Sequence, residues 1–314
     1  MKGIIIKSTG NWYTVFSEDE QKFKCRIRGR LRIDDYKSTN PIAVGDKVTF
    51  ELETDKITGV INNIEERKNC IIRRATNLSK QSHIIATNIS QAFLFVTFAF
   101  PKTSFGFIDR FLATCEAYRI PVQIIFNKAD IFENDDELKK ELEHEINIYE
   151  NINYKCHSIS SIKMKKSDKE KMISLLKNNT TLICGHSGVG KSSFLNAIEP
   201  SLNLKTEKIS KTHLKGIHTT TFAEMHLLSF GGFVIDTPGI KEFGLIKMER
   251  NEMYHFFKEI FAKASKCKYN TCLHINEPKC AVIEATQKGE IALSRYHSYL
   301  SIMNGKEVVK EYDN

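Results

Sequence analysis

Gly185-His186-Ser187-Gly188-Val189-Gly190-Lys191-Ser192 sets two glycines four residues apart directly ahead of Lys and Ser, with Ser193 following. Glycines in this arrangement let backbone N–H groups approach phosphate oxygens closely. Lys191 then reaches the β- and γ-phosphates of a nucleotide, and the Ser192 hydroxyl suits a Mg²⁺ ligand. The flanks agree with that reading. Residues 181–184 form an apolar strand-like run into the loop, and residues 192–198 open a helix.

Working outward, Asp236-Thr237-Pro238-Gly239 follows a second apolar run, 233–236. A carboxylate at a strand end can hold Mg²⁺ through water, and the Gly239 N–H is placed to meet a γ-phosphate. Upstream, Asn127-Lys128-Ala129-Asp130 ends the apolar run 122–126, and Ser160-Ser161 ends the run 155–160. A carboxylate at 130 accepts two hydrogen bonds from guanine N1 and N2, a donor pair that adenine lacks, and a backbone contact to the base fits Ser160-Ser161. Apolar runs at 92–100, 122–126, 155–160, 181–184, 223–230 and 233–236 alternate with helical spacing at 108–119, 138–149, 168–176 and 192–198. This predicts a mostly parallel α/β sheet.

The order of these motifs is informative. In an ordinary GTPase the phosphate loop comes first and the base-reading motif late. Here Asn127–Asp130 and Ser160-Ser161 precede the loop at 185–192, which precedes Asp236–Gly239. Joining the old chain ends and cutting elsewhere builds the same sheet, a change tolerated when termini lie close together at the surface. The expectation is a circularly permuted P-loop GTPase domain. Thr221, in the run Lys215-Gly216-Ile217-His218-Thr219-Thr220-Thr221, is a candidate to complete the Mg²⁺ shell. Ile240 stands where many GTPases carry a water-orienting Gln and cannot form that hydrogen bond. His218 is a candidate for the water-placing role, and its position equally suits a surface or packing histidine. Catalytic roles are thus expected at His218, Thr221, Asp236 and Gly239.

The two ends of the chain read differently. Residues 1 to about 72 show short apolar segments at 3–7, 12–16, 47–52 and 58–64 between turn signals such as Val44-Gly45-Asp46. Lys22, Lys24, Arg26, Arg28, Arg30 and Arg32 alternate with Phe23, Cys25, Ile27, Leu31 and Ile33, so period two puts cations on one strand face and apolar groups on the other. Such strands fit a small oligonucleotide-binding (OB) barrel. Its basic face suits RNA contact, with a merely solvated face as the alternative. At the other end, Met253, Phe256, Phe257, Ile260, Phe261 and Ala264 share one helical face, and a polar helix is expected over about 283–304. Between them Cys267-x4-Cys272-x-His274-x5-Cys280 offers four soft ligands, suited to a closed, structural Zn²⁺ site. The expected domains are 1–72 (OB barrel), 73–245 (GTPase) and 246–314 (helical, zinc-binding).

Composition is consistent with this. The 314 residues are 41% hydrophobic and 27% charged, ordinary for a globular chain, and carry a net charge of +8. The longest near-continuous apolar run, 92–100, is far short of the roughly 20 residues that span a bilayer. The eight cysteines are otherwise scattered singly, as in a reduced cytoplasmic protein.

Taken together, these residues resemble the bacterial ribosome-small-subunit-dependent GTPase A family. The resemblance rests on Gly45-Asp46-Lys47-Val48, Asn127–Asp130, residues 185–193, His218–Thr221, the run DTPGIKEFGL at 236–245 and the ligands Cys267, Cys272, His274 and Cys280. Glu277-Pro278, Cys280-Ala281-Val282 and Arg295-Tyr296 also look like the family. Ser161 stands where the family more often has Ala. The resemblance implies GTP hydrolysis stimulated by the small ribosomal subunit and its rRNA during late maturation. Carried over, Asn127, Lys128, Ala129, Asp130, Ser160 and Ser161 serve the base, residues 185–193 serve the phosphates and Mg²⁺, and the three Cys and one His hold zinc. A monomer binding GTP or GDP, with neither membrane nor DNA as partner, is expected. The competing readings are an ATP-using P-loop enzyme, which Asp130 disfavours, and an RNA-binding protein with slow or vestigial turnover, which Lys191, Ser192 and Asp236 disfavour.

Overall fold

A computed structural model describes residues 1–27, 42–54, 57–74, 82–205, 223–236 and 249–305. The second half of the basic run (Arg28, Arg30, Arg32), the segment with His218 and Thr221, residues 237–245 including Gly239 and Ile240, and the tail from 306 lie outside the described residues.

Five strands, β1 (Lys2–Thr9), β2 (Trp12–Ser17), β3 (Lys22–Ile27), β4 (Lys47–Leu52) and β5 (Thr58–Ile64), pair in the order β1-β2-β3-β5-β4, and a β1–β4 pairing closes the ring. All pairs are antiparallel except β3–β5. This is the OB-barrel topology. In β3 the alternation holds: Phe23 and Cys25 are buried while Lys22, Lys24 and Arg26 are exposed. Ile5, Val15, Phe23, Cys25, Val48, Phe50 and Ile61 fill the barrel.

A hairpin absent from the sequence reading follows: β6 (Cys70–Arg74) with β7 (Ser82–Thr87). It straddles the junction expected at 72/73. Asp46, fully buried, anchors it to the barrel. Its carboxylate accepts from Arg67 Nε and Nη2 (both 2.7 Å), Thr87 Oγ1 (2.8 Å) and the Ala43 N–H (2.8 Å).

The central layer contains β8 (Gln91–Val96), α1 (Phe105–Ala117), β9 (Val122–Phe126), α2 (Asp136–Glu150), β10 (Lys155–Ser158), α3 (Lys166–Leu176), β11 (Thr180–Cys184), α4 (Lys191–Ile198), β12 (Glu224–Leu227) and β13 (Phe233–Asp236). The strand order is β10-β9-β8-β11-β13-β12. Every pair is parallel except β12–β13. The apolar run at 92–100 ends as a strand at Val96. Phe98 is still buried, in the following loop, which apolar content alone cannot distinguish from strand. Along β8, Ala92, Leu94 and Val96 face a core with α1, whereas Phe93 and Phe95 face one with α3 and α4. Helices therefore cover both faces, as continuous apolar strands require. At Lys7↔Glu224 the sheet continues from β12 into β1, where the two side chains also form an ion pair (3.2 Å).

The C-terminal part differs from expectation in two places. The face predicted over 253–264 is split into a 3₁₀ turn (Met253–Phe256) and α5 (Lys258–Ala264), because Phe257 is extended (φ −114°, ψ 97°). The phase resets there, and Phe261 points outward, 55% exposed. The helix expected over 283–304 is two, α6 (Ala281–Gln287) and α7 (Leu293–Met303), broken at Gly289, whose φ of 73° favours glycine. α7 is not polar on its inner face: Tyr296, Tyr299, Ile302 and Met303 are buried with Ala113 of α1. Arg295, 1% exposed, donates to Glu259 (2.8 and 3.2 Å) and to Asp109 of α1 (2.8 Å). Among the described residues no helix is long and apolar enough to cross a membrane.

Candidate functional site: a nucleotide pocket and a Cys₃His cluster

At the C-terminal ends of parallel strands a doubly covered sheet leaves a crevice where ligands bind. Three of the sequence motifs converge there. β9 leads directly into Asn127, β10 is followed by Ser160-Ser161, and β11 runs into the loop 185–190. Asn127, 3% exposed, joins all three. Its Nδ2 donates to the Val189 carbonyl (2.7 Å), and its Oδ1 accepts from the Ser161 N–H (3.0 Å) and Oγ (2.9 Å). Asn127 therefore acts inside the protein, as the tie that sets the phosphate loop against the base loops. Ser160 Oγ accepts from the Lys163 N–H (3.1 Å), and the Ala129 N–H donates to Ile159 O (3.0 Å), which fixes both base loops.

Glycine is required in the loop for steric reasons. At Gly190 (φ +96°) a Cβ would lie 2.2 Å from Asn127 Nδ2, and at Gly185 (φ +140°) one would lie 2.4 Å from Phe95 O. Val189 is fully buried and pins the loop from below. The His186 ring packs on Phe107 of α1 at 3.7 Å between centroids. Lys191 Nζ donates to the carbonyls of Gly185 (2.8 Å) and His186 (2.9 Å), holding the ammonium across the loop. Burial pulls the Lys191 pKa down, while Asp236 and the Cys184 thiol oppose the shift. Ser192 and Ser193 lie in the first turn of α4, whose N-terminus favours anions. Asp236 ends β13, with Cα registered to Ile183 of β11.

Two features fit a guanine. Asp130 Oδ1 is buried with no hydrogen-bond partner among the described residues. Leaving such an acceptor unpaired costs about 1–3 kcal/mol, a cost that donors such as guanine N1 and N2 would relieve. Lys128, left-handed at φ 67°, donates from Nζ to Phe100 O (2.5 Å), laying its stem along the site. Burial lowers its pKa, opposed by Asp130.

The second centre is far along the chain. The ligand atoms of Cys267, Cys272, His274 and Cys280 lie within 4.8 Å of one another. Cys267 Sγ is 3.8 Å from Cys280 Sγ, and His274 Nδ1 is 3.5 and 3.4 Å from these two sulfurs. Tetrahedral zinc needs S···S of about 3.8 Å and S···N of about 3.5 Å from its usual bond lengths, so the donor set fits. Burial pushes the Cys272 thiol up to about 12, which a cation would reverse.

The sequence reading missed what holds this cluster. Glu277 accepts from the N–H groups of Leu273 (2.7 Å), Ile275 (2.8 Å) and Asn276 (3.1 Å). Burial alone would raise its pKa, but these backbone donors hold it below the ordinary carboxylate value. Tyr296 OH donates to His274 O (2.9 Å) and Tyr299 OH to Leu273 O (2.7 Å), so α7 clamps the ligand loop. A Glu three residues after a ligand His and flanked by the turn formers Asn276 and Pro278 was the available signal for Glu277.

Fold and site together define a circularly permuted P-loop GTPase with an N-terminal barrel and a C-terminal Cys₃His cluster. Comparison with known proteins is specific. The RsgA GTPase family profile matches residues 64–246, and the RsgA N-terminal domain profile matches residues 2–61. Proteins named small ribosomal subunit biogenesis GTPase RsgA from Christiangramia forsetii and Flavobacterium johnsoniae are 51% and 52% identical. Each alignment covers 98% of this chain, and 97% and 94% of the respective relative. The crystal structure of YjeQ from Thermotoga maritima superposes with a TM-score of 0.76 at 32% identity, covering 97% of this chain and 98% of that one. YloQ, described as a circularly permuted GTPase, gives 0.74 at 31%, covering 97% and 94%. The chain belongs to the RsgA GTPase family, whose members are GTP hydrolases.

Proposed function

We propose that this protein binds the small ribosomal subunit and hydrolyses GTP in a subunit-stimulated manner, as a checkpoint late in the subunit's maturation. The observation that carries the nucleotide part is the unpartnered Asp130 Oδ1, in a crevice where Asn127 has already joined the base and phosphate loops. Its base specificity is for guanine: Asp130 accepts from N1 and N2, and Lys128 and Ala129, with Ser160 and Ser161, frame the base. The backbone of residues 185–190 and Lys191 hold the phosphates. Ser192 and Asp236 are the residues that would hold Mg²⁺, with Thr221 as a third candidate; the ion supplies charge neutralisation at the β- and γ-phosphates. Gly239 meets the γ-phosphate, and His218 is the candidate for placing water where Ile240 offers no amide.

Cys267, Cys272, His274 and Cys280 would hold one Zn²⁺ in a structural role, since four protein ligands leave no open position. The curated relatives' name places them in small-subunit biogenesis, which supports the same partner here. The basic face of β3 supports rRNA contact: Lys22, Lys24 and Arg26 are exposed on one side, with Lys24 Nζ 4.6 Å over the Trp12 ring. No membrane or DNA role is proposed, and a cytoplasmic monomer is the expected form.

Asp130→Asn tests the nucleotide assignment. It replaces one acceptor oxygen with a donor facing guanine's own donors, so GTP affinity falls by about 2–4 kcal/mol. Calorimetric titration of GTP and ATP checks it. Equal binding of both nucleotides by the unaltered protein overturns the guanine assignment.

A further inference from the structure

Beside the Cys₃His cluster lies a cleft of about 450 Å³, lined by Tyr254, Phe261, Ser265, Tyr269 and Asn270 together with cluster residues. The volume is far more than a metal ion fills. Its wall includes aromatic surface left facing water: Phe261 is 55% and Tyr269 44% exposed. Phe261 is braced from behind. The Tyr254 ring lies 6.2 Å away at 30°, His255 meets it edge-on (5.2 Å, 84°), and Tyr254 in turn abuts the His274 ring (5.2 Å, 80°). The phase break at Phe257 is what turns Phe261 outward.

The segment that carries these rings is basic. From Phe261 to Asn270 the chain carries Lys263, Lys266 and Lys268 and no acidic residue; Lys263 pairs with Glu290, and Lys266 lies close enough to act on the same carboxylate. Lys266 and Lys268 are exposed. Lys268 Nζ sits 5.2 Å over the Tyr269 ring. Aromatic faces beside the exposed Lys266 and Lys268 match an unstacked nucleobase flanked by phosphates. Ser265 and Asn270 add hydrogen-bonding groups for a base edge. A peptide partner would account for the apolar surface and leave the lysines without acidic complements.

We infer that this cleft is a stacking platform for an unpaired base of single-stranded RNA, with Phe261 and Tyr269 as the stacking faces and Lys266 and Lys268 on the adjoining phosphates. The inference deepens the proposed function, since it rests on the partner being rRNA. It gives the cluster an external role. The metal-binding loop fixes the cleft's inner wall, and α5 presents the outer aromatic.

The test uses the full chain with Phe261→Ala and Tyr269→Ala together, and Phe261→Trp with Tyr269→Phe as the aromatic control. Both positions are exposed, so unchanged zinc content and basal GTP hydrolysis confirm an intact fold. The first probe is a single-stranded RNA hexamer carrying 2-aminopurine, whose fluorescence drops on stacking. The second is purified small subunits with a non-hydrolysable GTP analogue. The unaltered protein and the aromatic control quench the hexamer, and the double Ala variant weakens both interactions by roughly tenfold to a hundredfold, the scale of one lost base stack. Equal binding by the double Ala variant, or no quenching by the unaltered protein, overturns the platform. Weakened subunit binding with unchanged hexamer binding overturns the RNA assignment in favour of a protein contact. Failure of subunits to raise turnover by the unaltered protein counts against the functional reading instead, and is scored independently of the hexamer result.

Discussion

Replacing Asn127 with Ala removes a side chain whose importance lies in three internal hydrogen bonds. The Val189 carbonyl loses its 2.7 Å donor, and the Ser161 N–H and Oγ lose the acceptor at 3.0 and 2.9 Å. Asn127, Val189 and Ser161 are all buried, so water does not readily substitute. The hydroxyl can rotate to another partner; the carbonyl and the N–H cannot. Two stranded backbone groups at about 1–2 kcal/mol each put the stability loss at about 2–4 kcal/mol. The phosphate loop also loses its registration to the base loops, so GTP affinity falls at least tenfold, about 1.4 kcal/mol. Asn127→Asp separates the two halves of the tie: it keeps the acceptor for Ser161 and points a carboxylate at the Val189 carbonyl. It should lose GTP affinity as severely as the Ala variant. Urea unfolding and fluorescence titration of a labelled GTP analogue measure both quantities. An Ala variant with unchanged urea midpoint and GTP affinity within about twofold would refute the reasoning, which assigns Asn127 to holding loops together.

Three further outcomes follow from named contacts. Cys280→Ser, or prolonged chelation, should remove about one zinc per chain and leave the remaining cluster thiols reactive, as metal analysis and thiol titration would show. Arg295→Met strands the carboxylates of Asp109 and Glu259 in the core and should cost about 3–5 kcal/mol in urea unfolding, much of it recovered when Asp109→Asn and Glu259→Gln are added. Burial, with Lys171 and Lys155 nearby, pulls His157 down to about 4. An imidazole depressed in the folded state leaves the unfolded chain to take up the proton first, so stability is full above about pH 6.5 and is lost as pH falls towards 4. The loss should reach about 2 kcal/mol by pH 5 and be absent from His157→Gln.

Much of the candidate nucleotide site was legible because its signals are local. The glycines, Lys191, Asp130 and the strand-ending positions lie in short stretches whose spacing follows from backbone chemistry, and their order along the chain carried the permutation. The alternation in β3 was legible for the same reason: Phe23 and Cys25 face the barrel core as period two requires. What was not legible depends on partners distant in sequence. Arg295 reads as one cation in a polar helix, yet its partner Asp109 is 186 residues away. Asp46 looks like a turn residue, and Thr87, one of its donors, lies 41 positions on. β6 escaped notice because seven residues of sequence separate it from β7, more than the two-residue spacing that carries a hairpin signature. The run at 92–100 was read too long because a buried loop residue such as Phe98 is as apolar as a strand residue. The role of Asn127 as an internal tie follows from its distance to Val189, 62 positions along the chain.

The most direct test of the account is GTP turnover by the purified protein alone, with purified small ribosomal subunits, and with large subunits as control. The account predicts slow turnover alone, because Ile240 cannot orient water, and a rise of at least tenfold with small subunits only. Turnover that small subunits leave unchanged, in a protein that still binds GTP selectively, would contradict it.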